Sequence, residues 1–150
     1  MTPLFKKLNL KAESPLLIVA APPSFGPELA ALERDDILHD PAAAATIPFL
    51  LAFVTTLPEI EALVSIIAAQ APGDPLIWFA YPKARSKTYR CEFNRDTGWA
   101  ALGTLGFEPV RQVAIDADWS ALRFRRVAFI KSLTRDPTRR LTSDADSPPA

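Results

Sequence analysis

One apolar run in the middle of the chain, from Leu76 to Tyr81 and ended by Pro82, constrains the fold more than any other feature. It contains no charged residue, and Asp74 and Pro75 precede it. A continuous apolar run between turn residues is typical of a strand that is buried on both faces. Such strands belong to sheets that helices cover on both sides, so the run predicts the central strand of an α/β sheet.

Four more segments have strand patterns. Residues 16–21 and 47–54 are apolar runs that predict buried parallel strands. Residues 110–116 and 121–129 predict the last two strands, and the connection between them is too short for a crossover helix, so the final strand must be antiparallel. Helical patterns separate the earlier strands. Together they predict a three-layer, Rossmann-like α/β fold with a mostly parallel five-stranded sheet and a final antiparallel strand.

The order of the five strands in the sheet is less constrained. We expect the order second, first, third, fifth, fourth, which places the first strand beside the central one. The alternative order is first, second, third, fifth, fourth.

The helix before the central strand has the clearest helical pattern. Its apolar residues recur at i, i+3, i+4 and i+7, and its start has capping-box spacing; these residues are Ile60, Leu63, Val64, Ile67, Thr56 and Glu59.

The two ends of the chain differ from its middle. Residues 1–13 are polar and mixed, which predicts an arm lying on the surface. The segment 134–150 has no apolar periodicity, and we expect it to be a disordered polar tail. The remainder, 1–133, is predicted to be one α/β domain.

Composition narrows the setting. Cys91 is the only cysteine, which excludes an internal disulfide and a thiolate metal cage. No apolar run reaches the ~18 residues that a membrane span needs, and the first residues lack a signal-peptide pattern. We therefore expect a cytoplasmic protein with no membrane partner, whose oligomeric state stays open.

Charge is unevenly distributed although the whole chain is neutral. Residues 1–82 contain four Lys and Arg against nine Asp and Glu, whereas residues 83–150 contain thirteen against eight. The excess of positive charge in the second part favours an anionic partner. The alternative is that two faces of one globule compensate each other.

The candidate site is the edge of the sheet where the parallel strands end, because ligands of open α/β sheets bind there. The segments that follow the strands supply polar and basic side chains to this edge. The predicted ligand-binding residues are Ser24, Lys83, Arg85, Ser86, Asp116, Asp118, Trp119, Ser120 and Arg123.

Arginine and lysine suit the recognition of phosphate and carboxylate groups, so we expect Lys83, Arg85 and Arg123 to converge on one anion. Ser86 and Ser120 would be neutral donors, and an aspartate of the last turn would orient a basic side chain. Each residue also has a structural interpretation. The loop can be a solvated surface, Asp116 and Asp118 can cap a turn or pair with Arg123, and Trp119 can belong to the core.

Other reactive residues form no recognisable catalytic set. His39 is the only histidine and lies among aspartates, which is typical of a surface residue rather than a metal ligand. Cys91 has basic neighbours that would lower its pKa, but no base partner is identifiable. We predict no metal, and the cofactor stays unknown.

Three motifs occur together in the second half of the chain: Tyr81-Pro82-Lys83, the run Asn94-Arg95-Asp96-Thr97-Gly98-Trp99, and Asp118-Trp119-Ser120-Ala121-Leu122-Arg123-Phe124-Arg125. Together they resemble a family of small bacterial proteins with no assigned activity, over roughly residues 14–130. The resemblance implies that the motifs form one unit and transfers no catalytic residue. The final hairpin is also similar in architecture to the end of the class I methyltransferase sheet.

Three functions follow as hypotheses. The first is a non-catalytic module that binds an anionic small molecule or a partner. The second is a methyltransferase-like enzyme with a nucleoside cofactor. Two features count against it: the loop after the first strand has only one glycine, Gly26, and the strand taken as the second ends in Thr55-Thr56 rather than in an acidic residue. The third is a nucleic-acid-associated regulator, because residues 122–140 contain seven Lys and Arg against one Asp.

Overall fold

Six strands form one mixed sheet in the part of the chain that the computed structural model describes, residues 1–94 and 96–130. The strands are β1 Leu16–Val19, β2 Ile37–Leu38, β3 Phe49–Phe53, β4 Leu76–Pro82, β5 Phe107–Ala114 and β6 Trp119–Arg126.

The sheet order is β2-β1-β3-β4-β6-β5. β1 pairs in parallel with β2 and β3, and β3 pairs in parallel with β4. β6 is antiparallel to both β4 and β5, so it alone runs against the other strands. The predicted fold class is therefore confirmed: a mostly parallel Rossmann-like sheet with an antiparallel final strand.

Two details of the predicted sheet are wrong. β2 was not predicted, because it has only two residues, both half-buried, and two residues cannot show a period. The preferred strand order is also wrong, since β3 rather than β1 lies beside β4. The five predicted strands adopt the alternative order, and β2 adds a short edge beyond β1.

The helices are short except for one. They are α1 Pro3–Lys7, α2 Gly26–Ala30, α3 Leu57–Gln70 and α4 Ala100–Thr104. α3 begins with the predicted capping box, in which the Thr56 hydroxyl accepts from the Glu59 N–H while the Glu59 side chain accepts from the Thr56 N–H. These two bonds satisfy backbone donors that a helix start otherwise leaves unpaired.

Apolar cores lie on both sides of the sheet. Alternate residues of β4 serve the two cores: Ile77 and Phe79 pack with side chains of α3, whereas Trp78 and Ala80 pack with Phe5 of α1. We call these sides the α3 face and the α1 face. Because all seven residues of β4 are buried, this strand is the centre of the three layers, as its apolar run predicted.

The N-terminal segment is not a surface arm, and that prediction is wrong. Phe5 and Leu8 are fully buried on the α1 face, and Leu10 is nearly so. The Trp78 indole Nε1 donates to the Leu8 carbonyl at 2.9 Å, which joins the segment to the central strand. The helix in this segment has only five residues, Pro3–Lys7, which is too short to show a helical period in the sequence.

Some predictions fall outside the described residues. The proposed tail, 134–150, lies there, so the division into a domain 1–133 and a tail stays a prediction. Within the described part, no helix is long and apolar enough to cross a bilayer.

Candidate functional site

The loop after β4 is fixed to the turn between β5 and β6. Lys83 follows the last residue of β4, and its backbone N–H donates to the Asp118 carbonyl at 2.7 Å. The Ser86 hydroxyl donates to Asp118 Oδ1 at 2.8 Å and accepts from the Tyr89 N–H at 3.1 Å. The basic loop is therefore held to the turn between β5 and β6 by hydrogen bonds.

Three hollows of about 410, 470 and 410 Å³ surround this loop, and Lys83 lines all of them. Together they form a groove that we call the basic cleft. The polar and charged residues that line it are Tyr81, Lys83, Arg85, Ser86, Lys87, Tyr89, Arg90, Asn94, Gln112, Asp118 and Ser120.

The cleft carries an excess of positive charge. Arg85 and Lys87 are exposed and Lys83 is half-buried. Across residues 1–94 and 96–130, none of these three cations forms an ion pair, and the single carboxylate that lines the same hollows, Asp118, leaves an excess of positive charge. Their positive potential is therefore available to an anion from solvent.

Neutral polar groups form one wall. The Gln112 Nε2 of β5 donates to the Tyr81 hydroxyl oxygen of β4 at 2.9 Å, and β6 lies between these two strands. Ser120 lies opposite Tyr81 on the neighbouring strand and is buried. These side chains are on the α3 face, so the wall is continuous with the core below it.

An aromatic cluster supports the far wall. The Trp99 ring lies 4.8 Å from Phe93 and 5.8 Å from Tyr81, measured between ring centres. Its Nε1 donates to the Asn94 carbonyl at 2.9 Å, which holds Asn94 at the cleft. Gly98 permits this turn, because its φ is +92° and a Cβ there would lie 2.5 Å from the Phe93 Cβ. The three sequence motifs thus meet at one cleft.

The structure brings five of the nine predicted site residues together at the cleft: Lys83, Arg85, Ser86, Asp118 and Ser120. Within this group, Asp118 orients the hydroxyl of Ser86 rather than a basic side chain. Ligand binding by these residues stays a prediction.

Two predicted residues of the last turn have structural roles. Asp116 Oδ1 accepts from the backbone N–H groups of Asp118 and Trp119, at 2.8 and 2.9 Å, so it caps the turn. Trp119 is buried on the α1 face, with its ring 5.1 Å from Phe53 and 4.8 Å from Tyr89. Both fit the alternative interpretations of these residues.

Ser24 and Arg123 lie away from the cleft. Ser24 is exposed in a turn of 3-10 helix and lines none of the three hollows. Arg123 lies opposite Trp78, four positions along β4 from Pro82, or about 13 Å at the rise of a strand. It is also on the α1 face. The predicted convergence of Arg123 with Lys83 and Arg85 is therefore wrong, and so is its pairing with Asp116 or Asp118.

The other reactive groups are also accounted for. Burial raises the pKa of the Cys91 thiol, and the negative charges of Glu92 and Glu59 add to this, so the expected lowering by basic neighbours is wrong. His39 Nδ1 lies 3.0 Å from the Ile18 carbonyl of β1. Among the residues with described positions, no group of three His, Cys, Asp or Glu could hold a metal ion.

Sequence reasoning missed Tyr81, Asn94 and Gln112 as cleft residues. Tyr81 reads as the end of an apolar strand, and Asn94 reads as loop. Gln112 carried the one usable signal, since it is a polar residue inside a predicted strand beside the last turn. Only the pairing of β6 with both β4 and β5 shows that Gln112 and Tyr81 are neighbours.

A separate hollow of about 260 Å³ lies where β1 and β3 end. Ala20 lines it with a left-handed backbone, φ 58°, which is uncommon for a residue other than glycine. Glu59 also lines it. Burial raises the pKa of Glu59, but hydrogen bonds from Thr55 and Thr56 outweigh this effect and hold that pKa below its usual value.

Comparison with known proteins finds no matching family model and no matching curated protein. Among solved structures, a putative type 11 methyltransferase from Sulfolobus solfataricus aligns with a TM-score of 0.48 and 8% identity, over 89% of this chain and 83% of that one. A putative methyltransferase, yhhF, from Escherichia coli aligns with a TM-score of 0.32 and 9% identity, over 73% of this chain and 61% of that one. Identity this low and superposition this loose assign no activity to this chain.

Proposed function

We propose that the chain binds an anionic small molecule in the basic cleft, without catalysing its conversion. The observation that supports this is the group of three cations around the hollows, Lys83, Arg85 and Lys87, none of which forms an ion pair in the described part of the chain. An arginine can bind a phosphate or carboxylate through two parallel hydrogen bonds, and lysine adds a point charge.

The rest of the cleft favours recognition over chemistry. Its hydroxyl and carboxylate groups bond to each other, as Ser86 does to Asp118. Its thiol, Cys91, has a raised pKa and is a weaker nucleophile for that reason. The neutral groups, among them Gln112 and Tyr81, supply donors and acceptors for the uncharged part of a ligand.

A thermal-shift screen of phosphate and carboxylate compounds tests this function. A ligand present at 100 times its dissociation constant stabilises the folded protein by about 2.7 kcal/mol. We expect at least one compound to raise the melting temperature of the wild type. The double variant Lys83→Gln with Arg85→Gln should lose that increase and keep the melting temperature of the free protein.

The matched control removes the same charge elsewhere. Lys6 and Lys7 are exposed on α1 and line none of the three hollows, so Lys6→Gln with Lys7→Gln should retain the full response to the hit. If the cleft variant responds like the control variant, the cleft is not the binding site and the proposal is overturned.

A methyltransferase-like enzyme with a nucleoside cofactor is the second candidate. The sequence argued against this enzyme because the strand taken as the second lacks an acidic residue at its end. The second strand is in fact β2, and His39 and Asp40 follow it, so this argument no longer applies. The hollow at the ends of β1 and β3 also lies where open α/β sheets bind ligands.

The loop after β1 fits such a cofactor poorly. Pro22 and Pro23 have no backbone N–H to offer a ligand, and Gly26 is the one glycine of the loop. Asp40 Oδ1 already accepts from the Ala42 N–H. Isothermal titration with S-adenosylhomocysteine separates the candidates: the binding module predicts no heat of binding, and saturable micromolar binding would favour the enzyme.

The relationship to the small bacterial family that shares the three motifs, and a cytoplasmic location, belong to the same proposal. Both are consistent with a small ligand-binding module. Localisation of a tagged chain in bacterial cells would test the second.

A further inference from the structure

A β-bulge in β5 changes which of its side chains meet β6. Pro109 pairs with Phe124, and the next pair is Arg111 with Arg123, so Val110 is an extra residue in β5. The bulge leaves Val110 exposed by 41%, an unfavourable position for an apolar side chain. Bulges of this kind commonly re-aim a side chain near a functional site.

The consequence of the bulge is that two arginines face each other. Without it, Val110 would lie opposite Arg123, and Arg111 would point to the α3 face. With it, Arg111 and Arg123 are direct cross-strand neighbours on the α1 face, beside the buried pair Val113 and Ala121. Like charges directly opposite each other destabilise a sheet, so the arrangement has a cost that packing does not explain.

Asp74 and Glu13 lie near enough to act on the charge of Arg123, but neither acid forms an ion pair with the two arginines in the described part of the chain. Arg125, two residues further along β6, donates to both oxygens of Asp74 at 3.0 and 2.7 Å. In the described part of the chain, Arg111 and Arg123 form no ion pair, and the buried Nε of Arg123 has no hydrogen-bond partner. Burial lowers the pKa of Arg123, as do the charges of Arg125 and Arg111, against the opposing effect of Asp74.

We propose that Arg111 and Arg123 bind a phosphate group between them, at a second anion site on the α1 face of the hairpin. Two guanidinium groups side by side match the several oxygens of a phosphate, and its negative charge removes their mutual repulsion. Arg111 is exposed and Arg123 half-buried, so the site is open to solvent while one of its donors is held by the sheet.

The phosphate group has two possible sources, a free phosphorylated small molecule or the backbone of a nucleic acid. The probes are therefore inorganic phosphate and a single-stranded DNA oligonucleotide, each titrated at fixed ionic strength. The readout is the side-chain Nε–H signals of arginine in ¹H–¹⁵N spectra of the full chain, which report Arg111 and Arg123 individually.

We expect the signals of Arg111 and Arg123 to shift in a saturable way with inorganic phosphate. The variant Arg111→Gln should weaken the response of Arg123 by about tenfold or more, since one charge-assisted contact is lost. Lys83→Gln, which alters the basic cleft, should leave both signals and their response unchanged. The two sites can therefore fail independently.

A second measurement tests the repulsion itself. In chloride buffer, Arg111→Gln should melt at a higher temperature than the wild type, because it removes a like-charge pair at an exposed position.

A stronger response to the oligonucleotide than to phosphate, with a steep dependence on salt, would identify a nucleic acid as the source. If neither probe shifts the two signals, or if Arg111→Gln binds phosphate like the wild type, the proposal is overturned.

Discussion

The parallel part of the sheet and its final hairpin differ in how many polar side chains they carry. β3 and β4 are buried along their whole length, with apolar side chains on both faces. β5 and β6 place exposed or half-buried polar residues, such as Gln112 and Arg123, between buried ones. The groups available to a ligand lie in the hairpin and beside it, where the apolar layers end. The parallel strands therefore form the buried centre of the fold, and the hairpin together with the loop after β4 carries the candidate sites.

The largest expected effect comes from the centre of the parallel part. Phe79 is fully buried and lies 5.7 Å from Trp99 and 5.8 Å from Phe124 between ring centres. Phe79→Ala should lower the free energy of unfolding by about 3–5 kcal/mol, because it removes apolar contact and leaves a cavity. Urea denaturation measures this loss. Lys87→Ala, in the exposed loop, is the control and should stay within about 0.5 kcal/mol of the wild type.

Phe5 tests whether the N-terminal segment belongs to the same stable region. Its ring is fully buried, 6.1 Å from the rings of both Phe25 and Phe49. Phe5→Ala should cost about 3 kcal/mol, close to the loss at Phe79. A loss below about 0.5 kcal/mol would mean that the segment is a surface arm after all, and that the α1 face is stabilised by other residues.

These two positions also show what could be predicted from the sequence. Phe79 lies in a long apolar run, and such a run has few structural solutions. Phe5 lies among lysines in a helix of five residues, and its burial depends on Trp78 and Phe49, which are distant in the chain. The local sequence pattern around Phe5 carries no information about contacts with residues so distant in the chain.

The candidate site divides in the same way. Lys83, Arg85 and Ser86 were predictable, because the loop after a central strand has a known place in an α/β sheet. The prediction for Arg123 was wrong because each residue along β6 lies about 3.3 Å further from the edge of the sheet where the strand begins. The meeting of Arg111 with Arg123 depends on a bulge, which shifts the register by one residue and leaves no trace in the hydrophobic period.

A smaller effect is expected at the junction of the two regions. The Ser86 hydroxyl joins the loop after β4 to Asp118 of the hairpin turn. Ser86→Ala should lower the free energy of unfolding by about 1 kcal/mol, the usual contribution of one hydrogen bond. It should also speed amide hydrogen exchange at Lys83 and Tyr89, while the amides of β4 stay protected. Unchanged exchange at both residues would mean that the backbone bond from Lys83 suffices to hold the loop.

The smallest expected effect is a pH dependence at an ion pair beside the parallel strands, which can be compared with the hairpin pair Arg125–Asp74. Asp36 accepts from the Arg34 Nε at 2.8 Å and from the Ser14 hydroxyl, and these bonds lower its pKa from 3.8 to about 2. A carboxylate with a lowered pKa stabilises the fold above its unfolded-state pKa. The contribution is lost as pH falls from near 4 towards 2, because the folded form then takes up the proton too.

The magnitude of this effect is bounded by exposure. About a quarter of each side chain, Arg34 and Asp36, is open to solvent, so the pair should contribute less than about 1 kcal/mol. Arg34→Gln should therefore reduce stability at neutral pH and make a much smaller difference near pH 2, as measured by urea denaturation at both values. Arg125→Gln, at the hairpin pair, should show a loss at neutral pH that salt weakens. An Arg34→Gln loss that persists near pH 2 would show that Arg34 acts through its bond to the Glu13 carbonyl instead.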